Sequence, residues 1–233
     1  WVIEGPASLK EEIPAEICGL NVVFTDNLEP YRTRKVRILN GAHTSLVPVA
    51  YLYGIDKVRE STEDDVVGMF LKNTIFNEIC PTLDFPEEEL RQFSKDVLDR
   101  FRNPYLDHAL MSISLNSTSK YKVRVLPSVL EFIKRKNKNP KLLLFSLAAL
   151  IAFYRGERGE ERFSVKDDQS ALDFFVTQWA KGDIAFVVEA TLKNTDLWGI
   201  DLTQFEGLQE VVTNNLESII INGMKETLQA LVK

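Results

Sequence analysis

The apolar run LLLFSLAALIAFY, residues 142–154, constrains the fold more than any other feature of the sequence. Pro140 precedes it and suits the start of a helix, and Gly156 follows it as a typical helix end. A helix of this sequence is apolar on every side, so other elements must surround it. The run is shorter than the roughly 18 apolar residues that suggest a membrane span. We therefore expect a buried central helix and no membrane partner.

Helical periodicity dominates from about Glu29 onward. Apolar residues three and four positions apart in FPEEELRQFSKDVLDRF predict a helix that starts near Pro86. In STEDDVVGMFLKNTIFNEICPTL, Ser61 or Thr62 is expected to cap a helix with an acidic first turn. The polar segment 155–169 predicts a surface loop with a short hairpin. The expected fold class is mainly α and multi-helical.

The N-terminal segment has a different character. The apolar run from Leu20 to Phe24, bounded by Gly19 and by Asp26 and Asn27, predicts a buried strand followed by a turn. We therefore expect a short α/β stub at residues 1–28 and a helical domain at residues 29–233. Because the chain begins with WVIEG, which already resembles part of a folded element, we expect it to be a fragment of a longer protein.

Charge and cysteine content narrow the class of protein. The 28 Lys and Arg residues against 34 Asp and Glu residues give a net charge of −6, which argues against a nucleic-acid partner. The two cysteines, Cys18 and Cys80, are too few for a disulfide framework and are expected to be reduced thiols of a cytoplasmic protein. Neither has the spacing of a metal-binding pair, and no metal is expected.

One motif, RKVRILNGAHT, places Lys35, Asn40 and His43 close together. If residues 34–48 form an α-helix that ends at Pro48, Asn40 and His43 lie about 60° apart around its axis and Lys35 and His43 about 80°. All three can then face one cleft. Spacing alone leaves two interpretations open: a catalytic group, or an exposed lysine, a capping asparagine and a hydrogen-bonded histidine.

The same motif occurs with LVPVAYLYGID, RFRNPYLDHALMSISLNSTSKYKVRVLPS, LAALIAFYRGE and DLTQFEGL. Together these stretches resemble the polyol-specific long-chain dehydrogenases of the mannitol dehydrogenase family, and within it the tagaturonate reductases. The resemblance covers essentially the whole chain. It implies a multi-helical C-terminal domain of the 6-phosphogluconate dehydrogenase type, with residues 1–28 as the tail of an NAD-binding Rossmann domain upstream.

The resemblance also implies a cofactor and a reaction. NAD(H) would be bound mainly by the Rossmann domain, and the G-x-G-x-x-G fingerprint of such a domain does not occur in this chain. The reaction would reduce a ketone of an open-chain sugar acid. Lys35 would be the acid in reduction and the base in oxidation, Asn40 would donate to the developing oxyanion, and His43 would bind a sugar hydroxyl.

A sugar acid also requires a cationic site for its carboxylate. Lys120 and Arg124 would share one helix face, and Lys120 matches a basic substrate-facing residue of the family. Asn116 is a further candidate for substrate binding. For Arg124 and for the neighbouring Lys122, a solvated basic surface is the open alternative.

Two positions limit what the resemblance implies. Polyol-specific members often have an arginine eight residues before the position of Lys120, where this chain has Ser112, so a mannitol specificity does not follow. His108, the second histidine, is expected at a helix surface or between domains rather than in catalysis.

Three functions therefore remain open. The first is the substrate domain of a tagaturonate reductase, with a sugar acid and its own Rossmann domain as partners. The second is a fructuronate reductase or a mannitol-type polyol dehydrogenase, which would use the same Lys35, Asn40 and His43. The third is a non-catalytic helical interaction module.

Overall fold

The computed structural model describes residues 1–233, and the chain is mainly α, as predicted. The chain divides into two compact units, Trp1–Val36 and Arg37–Lys233. The helices are α1 Leu9–Glu12, α2 Glu29–Lys35, α3 Ala42–Tyr53, α4 Val58–Glu63, α5 Asp65–Asn73, α6 Glu87–Phe101, α7 Leu110–Ile113, α8 Ser117–Arg124, α9 Leu126–Lys136, α10 Lys141–Phe153, α11 Gln169–Trp179, α12 Ile184–Lys193, α13 Thr195–Trp198, α14 Leu208–Asn222 and α15 Met224–Val232. The strands are β1 Val2–Glu4, β2 Val23–Thr25, β3 Glu157–Arg158 and β4 Glu161–Arg162. Two π-helical turns, Val36–Gly41 and Thr74–Ile79, and three 3-10 turns, Ala15–Cys18, Cys80–Thr82 and Leu202–Gln204, complete the elements.

The unit Trp1–Val36 contains one pair of parallel strands. β1 pairs with β2, Ile3 opposite Phe24, and α1 lies in the crossover between them. The prediction of a buried strand from Leu20 to Phe24 is wrong in length and in burial, because β2 has three residues and Leu20 is 56% exposed. β2 pairs only with β1, so the sheet is too small to bury both of its faces. The assignment of residues 1–28 to the end of a nucleotide-binding domain stays a prediction.

Helix α10 forms the centre of the unit Arg37–Lys233. Every residue from Leu142 to Phe153 is buried, and α3 and α14 pack against it. The prediction of a central helix from the apolar run is confirmed. None of the helices is long and apolar enough to cross a membrane.

The helix starts were predicted with mixed success. Pro86 directly precedes α6, as predicted. The prediction that Ser61 or Thr62 caps the following helix is wrong, because Asp64 accepts hydrogen bonds from the first backbone N–H groups of α5. Both hydroxyls lie in α4 and donate to carbonyls four residues earlier, so they are not available for capping.

The segment around Asn40 is not a regular α-helix. A π-helical turn spans Val36–Gly41, and its wider turn changes the angle between successive side chains, so the angles calculated for an α-helix do not apply. The helix end assumed at Pro48 is not observed either, because Pro48 lies inside α3. Leu46, Val47, Val49 and Ala50 are fully or almost fully buried around it, and this packing offsets the hydrogen bond that proline removes.

A buried carboxylate caps the central helix. Glu78, only 6% exposed in the second π-helical turn, accepts hydrogen bonds from the backbone N–H groups of Leu142 (2.9 Å) and Leu143 (2.8 Å). Burial raises the pKa of Glu78, and the backbone N–H donors oppose that shift. These bonds satisfy donors that every helix N-terminus leaves without an intrahelical partner.

The sequence analysis also concerned a hairpin and two cysteines. β3 and β4 form the short antiparallel hairpin expected in segment 155–169. Cys18 and Cys80 are free thiols, the first exposed and the second buried beside Ser94.

Candidate functional site

Three buried polar side-chain atoms near the start of α3 have no hydrogen-bond partner within the chain. They are Oδ1 of Asn40, in the first π-helical turn, and Nε2 of His43 and Oγ of Ser45, at the start of α3. A buried polar atom without a partner destabilises a fold by about 1–3 kcal/mol, and such exceptions occur at functional sites. The alternative interpretation of the motif was a histidine already hydrogen-bonded within the chain, and Nε2 of His43 does not fit it.

Aromatic rings hold the imidazole of His43. The ring of Phe101 stacks on it with centroids 3.8 Å apart and an interplanar angle of 12°, and His108 contacts it edge-on at 5.5 Å. Burial lowers the pKa of His43 to about 3, and the nearby charges of His108 and Arg124 act in the same direction. At neutral pH the ring is therefore uncharged, with one nitrogen a donor and the other an acceptor. That form suits a hydroxyl group as a partner.

The stability of the protein should depend on this ring below neutral pH. The unfolded chain binds a proton at His43 near pH 6.5, whereas the folded chain does so only near pH 3, so stability is lost as the pH falls through that window. The His43→Phe variant keeps a ring against Phe101 and does not titrate. Between pH 7 and pH 5, we expect the wild type to lose roughly 2 kcal/mol more unfolding free energy than this variant. Urea unfolding at both pH values measures the difference, and equal losses would disprove the assignment.

Helix α8 carries two of the predicted cationic residues on one face. Lys120 and Arg124 are four residues apart, and the Nζ of Lys120 donates to the carbonyl of Ile113 at 2.8 Å. Burial lowers the pKa of Lys120, and the charge of Arg124 lowers it further. The charge of Arg124 also acts on His43, so Arg124 lies within electrostatic range of both Lys120 and His43. Lys122 is directed elsewhere, since its ammonium donates to the carbonyl of Asp196 at 3.3 Å.

Asn116 has a structural role at the start of α8. It occupies the N-cap position with a left-handed backbone (φ 54°), and its carbonyl accepts from the backbone N–H of Lys120 at 3.1 Å. Its own N–H donates to the carbonyl of Lys166 at 3.0 Å. Its predicted contact with substrate stays a prediction.

Sequence reasoning did not place Phe101 or His108 beside His43. Both residues are far from His43 along the chain, and the apolar periodicity of residues 85–101 predicts only that Phe101 belongs to a helix. His108, expected at a helix surface or between domains, lies with its ring next to that of His43 and is partly exposed. Ser112 is exposed, and its hydroxyl donates to the carbonyl of Ala109.

Lys35, the third residue of the motif, is the last residue of α2 and is exposed. It belongs to the unit Trp1–Val36, whereas Asn40 and His43 belong to Arg37–Lys233. Its role as an acid stays a prediction that rests on the sequence motif.

Comparison with known proteins identifies relatives along nearly the whole chain. Residues 27–220 match the mannitol dehydrogenase C-terminal domain. The chain is 45% identical to an altronate oxidoreductase of Enterobacter sp. (strain 638) over 99% of its own length and 49% of the relative's. It is 46% identical, with the same coverage, to an altronate oxidoreductase of Yersinia enterocolitica. The chain therefore spans about half the length of the curated relatives it matches.

Solved structures share the fold. The mannitol 2-dehydrogenase of Pseudomonas fluorescens, solved as a ternary complex with NAD and D-mannitol, superposes with a TM-score of 0.84 over 100% of this chain and 46% of its own, at 21% identity. A substrate-free D-sorbitol dehydrogenase gives a TM-score of 0.76 over 92% of this chain and 43% of its own, at 22% identity. From the match over residues 27–220 and the relatives at 45–46% identity, this chain belongs to the mannitol dehydrogenase C-terminal domain family.

Proposed function

We propose that this chain is the substrate-binding and catalytic part of an NAD-dependent oxidoreductase that interconverts D-tagaturonate and D-altronate in the breakdown of hexuronates. The observation that carries the proposal is the 45–46% identity to altronate oxidoreductases along 99% of the chain. The site adds chemical support, because an anionic, polyhydroxylated substrate suits two neighbouring cations, one of which acts electrostatically on an uncharged imidazole. We further propose that the reaction takes place in the cytoplasm.

Each candidate residue has a distinct task in this proposal. Lys35 gives a proton to the ketone oxygen during reduction and takes it back during oxidation. The amide of Asn40 donates to the same oxygen as negative charge develops on it. Nε2 of His43, buried and without a partner in the chain, binds a sugar hydroxyl.

The substrate carboxylate binds at α8 in this proposal. Arg124 can donate two parallel hydrogen bonds to a carboxylate, and Lys120 adds a second positive charge. Burial lowers the pKa of both groups, and an anion between them would favour their charged forms. Asn116, at the start of the same helix, is proposed to line the substrate site.

NADH, when bound, supplies the hydride. The residues of this chain do not fit the dinucleotide as its main binding site, because the glycine-rich turn that approaches a pyrophosphate does not occur in the sequence. We propose that a Rossmann domain preceding this chain in the full-length protein holds the cofactor. The tasks of Lys35, Asn40 and His43 concern the substrate alone.

The proposed function is tested by NADH oxidation with the full-length protein and a panel of D-tagaturonate, D-fructuronate, D-fructose and D-tagatose. We expect the highest kcat/KM for D-tagaturonate, and at least a tenfold lower value for D-tagatose, which has a hydroxymethyl group in place of the carboxylate. A preference for D-fructuronate would favour a fructuronate reductase, and a preference for D-fructose would favour a polyol dehydrogenase. Absence of oxidation with every ketone would contradict an enzymatic role and favour an interaction module.

A further inference from the structure

A carboxylate outside the candidate site holds the start of the helix that carries Lys120 and Arg124. One oxygen, Oδ2 of Asp167, accepts hydrogen bonds from the backbone N–H of Thr118 (3.1 Å) and from the hydroxyl of Thr118 (3.0 Å). The same oxygen accepts from the phenol of Tyr154. Its other oxygen accepts from the backbone N–H of Asp168 at 2.8 Å. Every one of these bonds lies in the unit Arg37–Lys233.

These bonds replace an ordinary helix cap. Asn116 occupies the N-cap position of α8 but makes no side-chain capping bond, so Asp167 supplies the acceptor for the first turn. Its negative charge also lies at the positive end of the helix. The backbone bond from Asn116 to Lys166 joins the same loop to the same turn.

Tyr154 anchors this arrangement to the core. It is 6% exposed at the C-terminal end of α10, and its ring stacks on Phe175 with centroids 4.1 Å apart. Burial raises the pKa of Tyr154, and the neighbouring Asp167 raises it further, so its hydroxyl remains a donor at physiological pH. The phenol therefore connects Asp167 to the most buried helix of the fold.

The consequence concerns the two cations. Lys120 follows Thr118 by two residues, and the charge of Asp167 acts on the ammonium of Lys120. If the first turn of α8 frays, the cationic groups move relative to His43. A displacement of about 1 Å is enough to impair substrate positioning strongly.

We propose that Asp167, together with Tyr154 and Thr118, is a positioning residue that sets Lys120 and Arg124 for the substrate carboxylate. This inference rests on the proposed function, since it takes the cations of α8 to be the carboxylate site. Asp167 itself does not touch substrate. Its effect should therefore fall on substrate binding, with the chemical step left intact.

The test is steady-state NADH oxidation of D-tagaturonate by the full-length protein. In Asp167→Ala we expect KM to rise about tenfold, with kcat within about twofold of the wild type, because a tenfold change corresponds to about 1.4 kcal/mol of binding. Asp167→Asn keeps an acceptor for Thr118 and should recover at least half of that rise on a logarithmic scale. Tyr154→Phe, which keeps the ring against Phe175, should raise KM about threefold. Asp168→Ala, at the neighbouring exposed carboxylate, is the matched control and should leave KM unchanged.

Lys120→Ala in the same assay separates the two proposals. If Lys120→Ala raises KM and Asp167→Ala does not, the positioning role is overturned and the carboxylate site stands. If Lys120→Ala leaves KM unchanged, the carboxylate site fails, and the positioning role fails with it. A fall of kcat in Asp167→Ala as large as the rise of KM, with no recovery in Asp167→Asn, would show a general structural defect and overturn the inference.

Discussion

Replacing Lys35 with alanine is expected to lower kcat for D-tagaturonate reduction by about a thousandfold, within the range by which a positioned acid accelerates a reaction. An alanine cannot protonate the ketone oxygen, so the developing alkoxide would have to take its proton from water. NADH affinity should stay within about twofold, since the proposal assigns the cofactor to another domain. Stopped-flow NADH oxidation measures the first quantity, and NADH fluorescence titration measures the second.

The matched control is Lys10→Ala, which removes an exposed lysine from α1 in the same unit. It should leave kcat and KM unchanged. Turnover by Lys35→Ala within tenfold of the wild type between pH 6 and pH 9 would refute the acid role of Lys35. A parallel loss of NADH affinity would also refute it, because the lysine would then act on the cofactor.

Replacing Glu78 with leucine should cause the largest loss of stability, about 3 kcal/mol of unfolding free energy. The carboxylate accepts from the N–H groups of Leu142 and Leu143 at the buried start of α10, and leucine would leave both donors without a partner. Each unpaired buried donor destabilises the fold by about 1–3 kcal/mol. Removing a desolvated carboxylate is itself favourable, so the net loss of unfolding free energy is smaller than the sum for two donors. Urea unfolding of the full-length protein, followed by circular dichroism, measures the loss.

Two further variants show the origin of the effect. Glu78→Gln keeps one acceptor oxygen and should lose about 1 kcal/mol. Glu88→Leu changes an exposed glutamate in the first turn of α6 and should lose less than about 1 kcal/mol. Equal stability of Glu78→Leu and the wild type would contradict the capping role.

The helices that could be predicted from sequence are those whose pattern is local. The apolar run at residues 142–154 requires burial on all sides wherever it lies, and Pro86 with an acidic first turn marks the start of α6 in its own neighbourhood. The cap at Asp64 was missed because Ser61 and Thr62 have equal capping chemistry, and only the extent of α4 decides among them. The π-helical turn at Val36–Gly41 has no residue signature, since any aliphatic run can adopt it under tertiary packing.

Some residues of the candidate site could likewise be predicted from a local sequence pattern, and others could not. Lys120 and Arg124 could be placed on one face because positions four apart on a helix always are. Phe101, His108 and Asp167 could not be assigned, because each reaches its partner only when segments distant in sequence pack together. The state of His43 was equally inaccessible, since its low pKa comes from burial that the packed structure alone determines.

Calorimetric titration of D-altronate into the full-length protein, saturated with NADH so that no turnover occurs, tests the central claim most directly. Relative to the wild type, the double variant Lys120→Ala/Arg124→Ala should raise the Kd at least about 30-fold, because each charged hydrogen bond contributes roughly 1.5–3 kcal/mol. Lys122→Ala, on the same helix but bonded to the carbonyl of Asp196, should change it less than about twofold. A double variant that binds D-altronate as tightly as the wild type would contradict the assignment of the sugar acid to this chain.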